Sequence, residues 1–366
     1  MVVVTALNMV VVIMAHFARF EKYRFLLAWA FVLLALVLGI RYGYGNDYFS
    51  YKYMFDHGYP EQGFTDDVEP GWFILNKLFK PFGFSAFVFF LTCIEHLMLY
   101  DLIRRYVSPQ YYWFAVFLYV FHPYYMLIGL SMMRQFLVQL LGFYAMEYAF
   151  KKKIIHFVVI VLFAITIHKV ALLLLPLYLF PYTSKLFANK FAIVFLIIVV
   201  GVIAIYINVI IENLVLFFAD AGMKYGDSYL SESDLNEEYR IPPMLVLRYV
   251  LYAILLVRNY KLLNDSNPSR FYVVEVMLGL LFIPFVTLST MAIRTSWVYT
   301  MVIIISMPIL LNKEKMPVIK YGSMFIFCVL LLREYRNFFY SEIWGAQYIN
   351  FYTIFSEYGI NNIRLF

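Results

Sequence analysis

The sequence predicts an all-α, polytopic integral membrane protein, and three observations carry that prediction. Hydrophobic residues fill 64% of the 366 positions and charged residues only 14%, too few charges to cover a water-facing surface of this size. The apolar residues fall into runs close to the roughly 20 that a helix needs to cross a hydrocarbon core. Between the runs, Lys and Arg collect in short clusters. With a net charge of +6, that pattern is the footprint of membrane topology rather than of nucleic-acid binding.

Taken in order, candidate spans lie near 2–17, 24–40, 84–103, 109–129, 131–150, 191–211, 243–258, 271–290, 295–311 and 317–332. The first lacks a basic leader and a small-residue cleavage site, so it reads as a retained span. Residues 1–332 form one membrane domain of about 10–12 segments, with external loops over 41–83 and 219–241. The tail 333–366, with Tyr335, Phe338, Phe339, Tyr340, Trp344, Tyr348, Phe351 and Tyr352, reads as an external interfacial segment, because Trp and Tyr favour the headgroup level. The two cysteines, Cys93 and Cys328, lie in apolar runs and indicate neither a disulfide framework nor a metal site. No internal repeat is evident, which weighs against an inverted-repeat transporter.

The run 154–180 is too long for one comfortable span and is interrupted by His168-Lys169, with Pro176 beyond. Charge decides how it lies. The clusters at 19–24, 104–105, 151–153, 185–190, 258–270 and 313–320 hold sixteen basic residues, accompanied by only four acids (Glu21, Asp101, Asp265 and Glu314), whereas 41–83 and 219–241 are rich in Asp and Glu. The positive-inside rule puts the first set in the cytoplasm and the second outside. A single crossing at 154–180 would place 219–241 on the wrong side. A broken, re-entrant pair, 154–167 and 169–180, restores the parity, and irregular backbone at that depth is tolerated where it lines a cavity. N- and C-termini then both lie outside.

Charges at span ends are costly and invite a reason. Arg41, Arg134, His168, Lys169 and Arg294 all fall on the external side of this topology, together with Asp47 and Glu69. Taken singly, each basic residue either snorkels to the interface or serves a site; their joint placement favours a site. Glu95, His96, Glu147, Glu212, Arg248 and Glu275 read equally well as helix-to-helix pairs, and His122 as a group that closes a helix end before Pro123. Clustered arginines suit a diphosphate. Guanidinium binds phosphate oxygens bidentately and keeps its charge, so it stabilises a departing pyrophosphate without a metal. There is no HExxH, EF-hand loop, DxD, P-loop or GxGxxG, so neither metal nor cofactor is expected. Tyr42, Tyr44, Tyr48, Tyr51, Tyr53, Tyr59 and Trp72 in the first external loop are either sugar-facing rings or interfacial aromatics.

Gly45-Asn-Asp47-Tyr48-Phe-Ser-Tyr51, preceded by Arg41, resembles the G-x-D-Y-x-x-Y signature of the EpsG family, within the Wzy-type bacterial polysaccharide polymerases. Glu69-Pro70-Gly71-Trp72 is similar to its E-P-G-aromatic element. Arg134-Gln135 at the start of a span, His168 with Ala171-Leu172 and Leu175-Pro176-Leu-Tyr178, and Arg294 with Tyr299 continue the pattern in order over roughly 24–310. Val170 stands where a small polar residue is common, and Phe-Leu-Val follows Arg134-Gln135 where a small residue is common; both departures concern packing more than chemistry.

The resemblance implies a membrane glycosyltransferase with a GT-C-like, all-helical architecture in the bacterial cytoplasmic membrane, its active site facing the periplasm or exterior. Its donor and acceptor would be undecaprenyl-diphosphate-linked oligosaccharides of O-antigen, capsule or exopolysaccharide synthesis, with a chain-length regulator protein as a further partner. Arg134, Arg294 and Arg41 would hold the diphosphate, and Glu69 would orient sugar hydroxyls or an arginine. Tyr51, Gln135, Lys169 and Tyr299 complete the implied substrate contacts. His168 or Asp47 would deprotonate the acceptor hydroxyl, and a histidine near its reference pKa favours His168. The rival readings are a glycan ligase or monosaccharide transferase, and a transporter or flippase for lipid-linked glycans.

Overall fold

A computed structural model describes residues 1–58, 69–179, 189–206, 243–261, 296–341 and 345–356. Arg294, the loop 219–241, the span 271–290 and the last residues of the tail lie outside the described residues. The regular structure of the described residues is helical apart from one two-stranded ribbon. Among the described residues three segments, Glu21–Gly39, Phe84–Tyr106 and Ser296–Lys313, are long and apolar enough to cross a membrane.

Two apolar helices open the chain, α1 (Val2–Phe17) and α2 (Phe25–Gly39). Their buried stripes (Val4, Leu7, Val11; Leu27, Phe31, Leu34, Leu38) face the body, while Met9, Ile13, Trp29 and Leu36 point outward. Large apolar side chains on the outer surface are what a lipid-facing helix presents. Strand β1 (Arg41–Tyr42) follows, then two helices inside the expected loop, α3 (Tyr48–His57) and α4 (Pro70–Phe79). Helix α5 (Phe84–Tyr106) runs the full depth of the bundle beside α2.

The expected span 109–129 is not one helix. A 3-10 turn at Pro109–Tyr111 leads into α6 (Tyr112–Val120), the chain turns through His122-Pro123, and a short α7 (Leu127–Ser131) precedes α8 (Met133–Phe150). The cause is Pro123, which has no N–H to donate and whose ring disfavours a continuous helix. Met132, with φ −90° and ψ 58°, makes the second corner.

Helix α9 (Ile154–Ile167) stops at His168, whose backbone is extended, and the chain returns as a 3-10 helix over Lys169–Leu179. Phe157 near the start of α9 meets Tyr178 near the end of the return, ring centroids 5.1 Å apart, so the two legs are antiparallel. Their lengths agree, about 21 Å for fourteen α-helical residues and about 22 Å for eleven in 3-10 geometry. The break expected from charge parity is therefore present, with a 3-10 rather than an α-helical second leg. Further along the chain come α10 (Lys190–Ile205), α11 (Pro243–Arg258), α12 (Ile303–Lys313) and α13 (Pro317–Phe338).

Two faces of different chemistry result. On one, basic clusters far apart in sequence interlock: Arg105 pairs with Asp101 at 2.6 Å and Glu147 at 2.7 Å, Lys151 with Glu147 at 2.6 Å, and Arg258 with Glu314 at 2.8 Å. The Gln110 amide donates to Asn312 at 2.7 Å on the same rim. On the opposite face the N-terminal ammonium donates to the Tyr348 and Ile349 carbonyls. There β1 pairs antiparallel with β2 (Tyr352–Thr353), Arg41 opposite Thr353 and Tyr42 opposite Tyr352. The described part of the tail is thus tied to the body at Tyr348 and at β2. Residues 333–338 finish α13, and Tyr348 is fully buried against Tyr44 and Phe338.

Candidate active site

The site assembles on the aromatic face, where the α7–α8 corner, α3, the start of α4 and the break at His168 converge. Gly45 lies against the corner at Ser131. Its φ of +119° is one that other residues rarely adopt, and a Cβ there would stand 3.1 Å from the Ser131 Cα. That close approach lets the Asp47 N–H donate to the Ser131 Oγ at 2.9 Å. Tyr51 follows one helical turn later, its N–H bonded to the Asp47 carbonyl.

Arg134 is the second residue of α8. A cation at a helix N-terminus opposes the helix dipole, so an anion is required nearby. Glu69 supplies it. Its Oε2 lies 2.7 Å from the Arg134 Nη1, and its Oε1 accepts the Lys169 N–H at 3.2 Å. Glu69 is the residue before α4 yet does not cap it, because both carboxylate oxygens reach across to α8 and to the break. The Arg134 Nε–H points to the Tyr51 hydroxyl at 3.4 Å, and the guanidinium lies 5.6 Å from the centre of the Tyr51 ring. Burial pushes the Tyr51 phenol above its ordinary pKa, with Arg134 opposing.

Gly71 brings α4 onto α9. A Cβ at Gly71 would fall 2.2 Å from the Thr166 Oγ1, so only glycine allows the approach that carries Glu69 to Lys169. At the break, the Val170 N–H donates to the His168 Nδ1 at 3.1 Å, and the imidazole caps the returning 3-10 helix. Asp47, Tyr51, Glu69, Arg134, His168 and Lys169 are thus joined by consecutive contacts, although up to about 120 residues separate them in sequence.

Arg41, expected at the diphosphate, makes its hydrogen bonds to another group of residues. It is 2% exposed. Its Nη1 donates to the Leu38 carbonyl and the Thr92 Oγ1, both at 2.8 Å, and its Nη2 to the Leu130 carbonyl at 3.1 Å. It brackets the end of α2, α5 and α7 together. Tyr299 donates its hydroxyl to the Leu173 carbonyl and so braces the returning leg, and Gln135 is buried within α8. Most of the loop aromatics also serve packing: Tyr42, Tyr44, Tyr48, Tyr51 and Trp72 are buried, and Tyr53 is exposed. Among the other intramembrane charges, Arg248 pairs with Glu334 at 2.6 Å and meets the His122 Nε2 at 3.1 Å.

The contributions of Ser131 and Thr166, and the backbone N–H groups of Lys169 and Val170, were not legible in advance. A serine at a helix corner and a glycine in the first turn of a helix are the only local signs, and both have many other causes.

A sequence model of the EpsG family matches residues 24–352. The chain belongs to the EpsG family. The match runs from the start of α2 to β2 and so takes in every residue of the cluster. No curated protein and no solved structure matches this EpsG-family chain.

Proposed function

We propose that this EpsG-family protein is a metal-independent polysaccharide polymerase of the Wzy type. It transfers a growing glycan from undecaprenyl diphosphate to the next lipid-linked repeat unit, on the external face of the bacterial cytoplasmic membrane. The observation that carries this reading is the meeting of Arg134 with Glu69, Tyr51 and the break at His168, at the end of the bundle opposite the interlocked basic rim. A guanidinium at the N-terminus of an 18-residue helix is an anion site by charge and by backbone donors. Charge that builds on a departing diphosphate is stabilised there without reorganisation.

The acid-rich and aromatic side is the external one under the positive-inside rule, and a multi-pass, GT-C-like architecture goes with this reading. Arg294 is assigned to the same diphosphate. Lys169 and the exposed Tyr53 are assigned to sugar contacts. Gathering of Asp47, Glu69, Arg134, His168 and Lys169 at one end favours chemistry at a surface over a pathway through the bilayer, which a flippase would require.

The test is deletion of the gene followed by gel analysis of surface glycan length, with complementation by Arg134→Ala. A ladder restored by the wild type and absent with the variant, both inserted at equal level, is the expected result. Full-length polymer from Arg134→Ala refutes the diphosphate clamp. A single-length product from the wild type identifies a ligase or monosaccharide transferase instead.

A further inference from the structure

The basic rim, at the end of the bundle away from the candidate active site, carries a cavity of its own. Its volume is about 240 Å³. Arg24, Phe25 and Leu27 at the start of α2 line it, with Tyr100 and Arg104 of α5 and Tyr112, the first residue of α6. The buried Tyr112 lies within electrostatic reach of both guanidiniums, and its hydroxyl stands 3.5 Å from the Arg104 carbonyl.

Other cations of this rim have carboxylate partners: Arg105 binds Asp101 and Glu147, Lys151 binds Glu147, and Arg258 binds Glu314. Among the described residues neither Arg24 nor Arg104 forms an ion pair. The acid one turn before Arg104 is engaged elsewhere, since Asp101 also accepts from the Tyr144 hydroxyl at 2.8 Å. Arg104 instead stands 5.9 Å from the centre of the Tyr100 ring, with its Nη1 3.5 Å from the Tyr100 hydroxyl. These contacts leave its charge uncancelled. Two such guanidiniums on one concave site call for an anion, and phosphate oxygens match their paired N–H groups.

The walls that lead away from the cavity say which phosphate. Helices α2 and α5 are antiparallel, because Arg24 and Arg104 share the cavity while at the other end a Cβ on Gly39 would lie 2.7 Å from the Phe89 ring. On α2, Phe25, Trp29, Val32 and Leu36 follow one another at helical spacing, and all four are exposed. On α5, Leu97 and Phe90 continue the face of Arg104 and Tyr100, and both are exposed. The charged cavity thus opens onto two apolar faces of membrane-crossing helices. A soluble anion would use only the first; a phospholipid uses both. Pockets for drug-sized ligands hold roughly 300–1,000 Å³, so this smaller cavity suits a headgroup better than a nucleotide.

We propose that Arg24 and Arg104 bind the phosphodiester of an anionic phospholipid, whose acyl chains lie along the exposed faces of α2 and α5. Acidic lipids gather basic side chains at a membrane surface, whereas a zwitterionic headgroup brings its own cation to compete with the guanidiniums. The site stands apart from the reaction proposed for the other end of the bundle, since neither arginine belongs to the cluster around Arg134.

The full chain in neutral detergent, titrated with phosphatidylglycerol and read by native mass spectrometry, provides the test. One phosphatidylglycerol should bind in preference to phosphatidylcholine with the same chains. Arg24→Gln and Arg104→Gln should each weaken binding about fivefold, and the double variant about 25-fold. Both side chains are exposed, so the variants should elute from detergent size-exclusion as the wild type does. Lys315→Gln removes the same charge from an exposed position outside the cavity and should change binding less than about twofold. Trp29 lies about 7.5 Å along α2 from Arg24. Phosphatidylglycerol with brominated chains should therefore quench tryptophan fluorescence, and Trp29→Phe should remove most of that quenching.

A preference for phosphatidylglycerol that survives in the double variant overturns the proposal. So does an equal loss in Lys315→Gln, which marks diffuse surface charge. Competition by glycerol phosphate as strong as that by the intact lipid assigns the arginines to a soluble anion and overturns the lipid as occupant. Quenching unchanged in Trp29→Phe overturns the placement of the chains.

Discussion

Removal of the Glu69 carboxylate is the sharpest probe of how the site is held. Glu69 is 6% exposed and binds the Arg134 Nη1 at 2.7 Å and the Lys169 N–H at 3.2 Å. In Glu69→Ala, Arg134 loses this counter-charge. Breaking a fully buried pair this way costs about 3–5 kcal/mol, and the 22% exposure of the Arg134 side chain brings the figure down to about 2–3 kcal/mol. The Lys169 N–H loses a charged acceptor, about 1–2 kcal/mol. The two losses share one side chain and do not add in full, so about 3 kcal/mol is the expected destabilisation. Glu69→Gln keeps one acceptor and should lose about half as much.

Equilibrium unfolding in mixed detergent micelles measures both variants, and a cycle with Arg134→Ala isolates the pair. A coupling of at least about 1.5 kcal/mol is expected. Glu69→Ala with wild-type stability, or a coupling under about 0.5 kcal/mol, refutes the reasoning.

Gly71→Ala should destabilise by about 1–3 kcal/mol, because the new methyl meets Thr166. Adding Thr166→Ala should restore only part of this in the same unfolding assay, since the Thr166 carbonyl also stands 2.9 Å from that methyl. Arg41→Ala leaves the Leu38 and Leu130 carbonyls and the Thr92 hydroxyl without their buried donor. About 3 kcal/mol should go, read as loss of folded protein on detergent size-exclusion rather than as an inactive folded enzyme. The Arg258 guanidinium holds the Glu314 carboxyl at about 2, below its ordinary 4.5. A depressed carboxylate stabilises above its unfolded pKa, so stability from this pair should be constant from neutral pH to about 5. It should decline as pH falls towards 2, and Glu314→Gln should remove that limb.

Membrane character and the break at His168 were both readable from the chain, because each follows from a one-dimensional rule. Long apolar runs have no stable place in water, and the side on which Lys and Arg lie limits how many times the chain can cross between them. The acid-rich elements holding Asp47 and Glu69 were legible as one side of the molecule for the same reason. The corner at His122-Pro123 was written in a residue that cannot continue a helix, yet it was read as part of a span because the flanking residues are uniformly apolar.

What the tertiary structure alone decided is which charge does which work. Arg41 and Arg134 are the same residue type, each beside a helix end, and nothing local distinguishes them. One is enclosed by the Leu38 and Leu130 carbonyls and Thr92, and becomes a bracket; the other meets Glu69 and Tyr51. The capping of the returning leg by His168 was likewise invisible, since it depends on where one backbone N–H two residues later points. Hydropathy and net charge act over the length of a span, whereas a hydrogen bond is won or lost within a few tenths of an ångström, and only the packed helices set that distance.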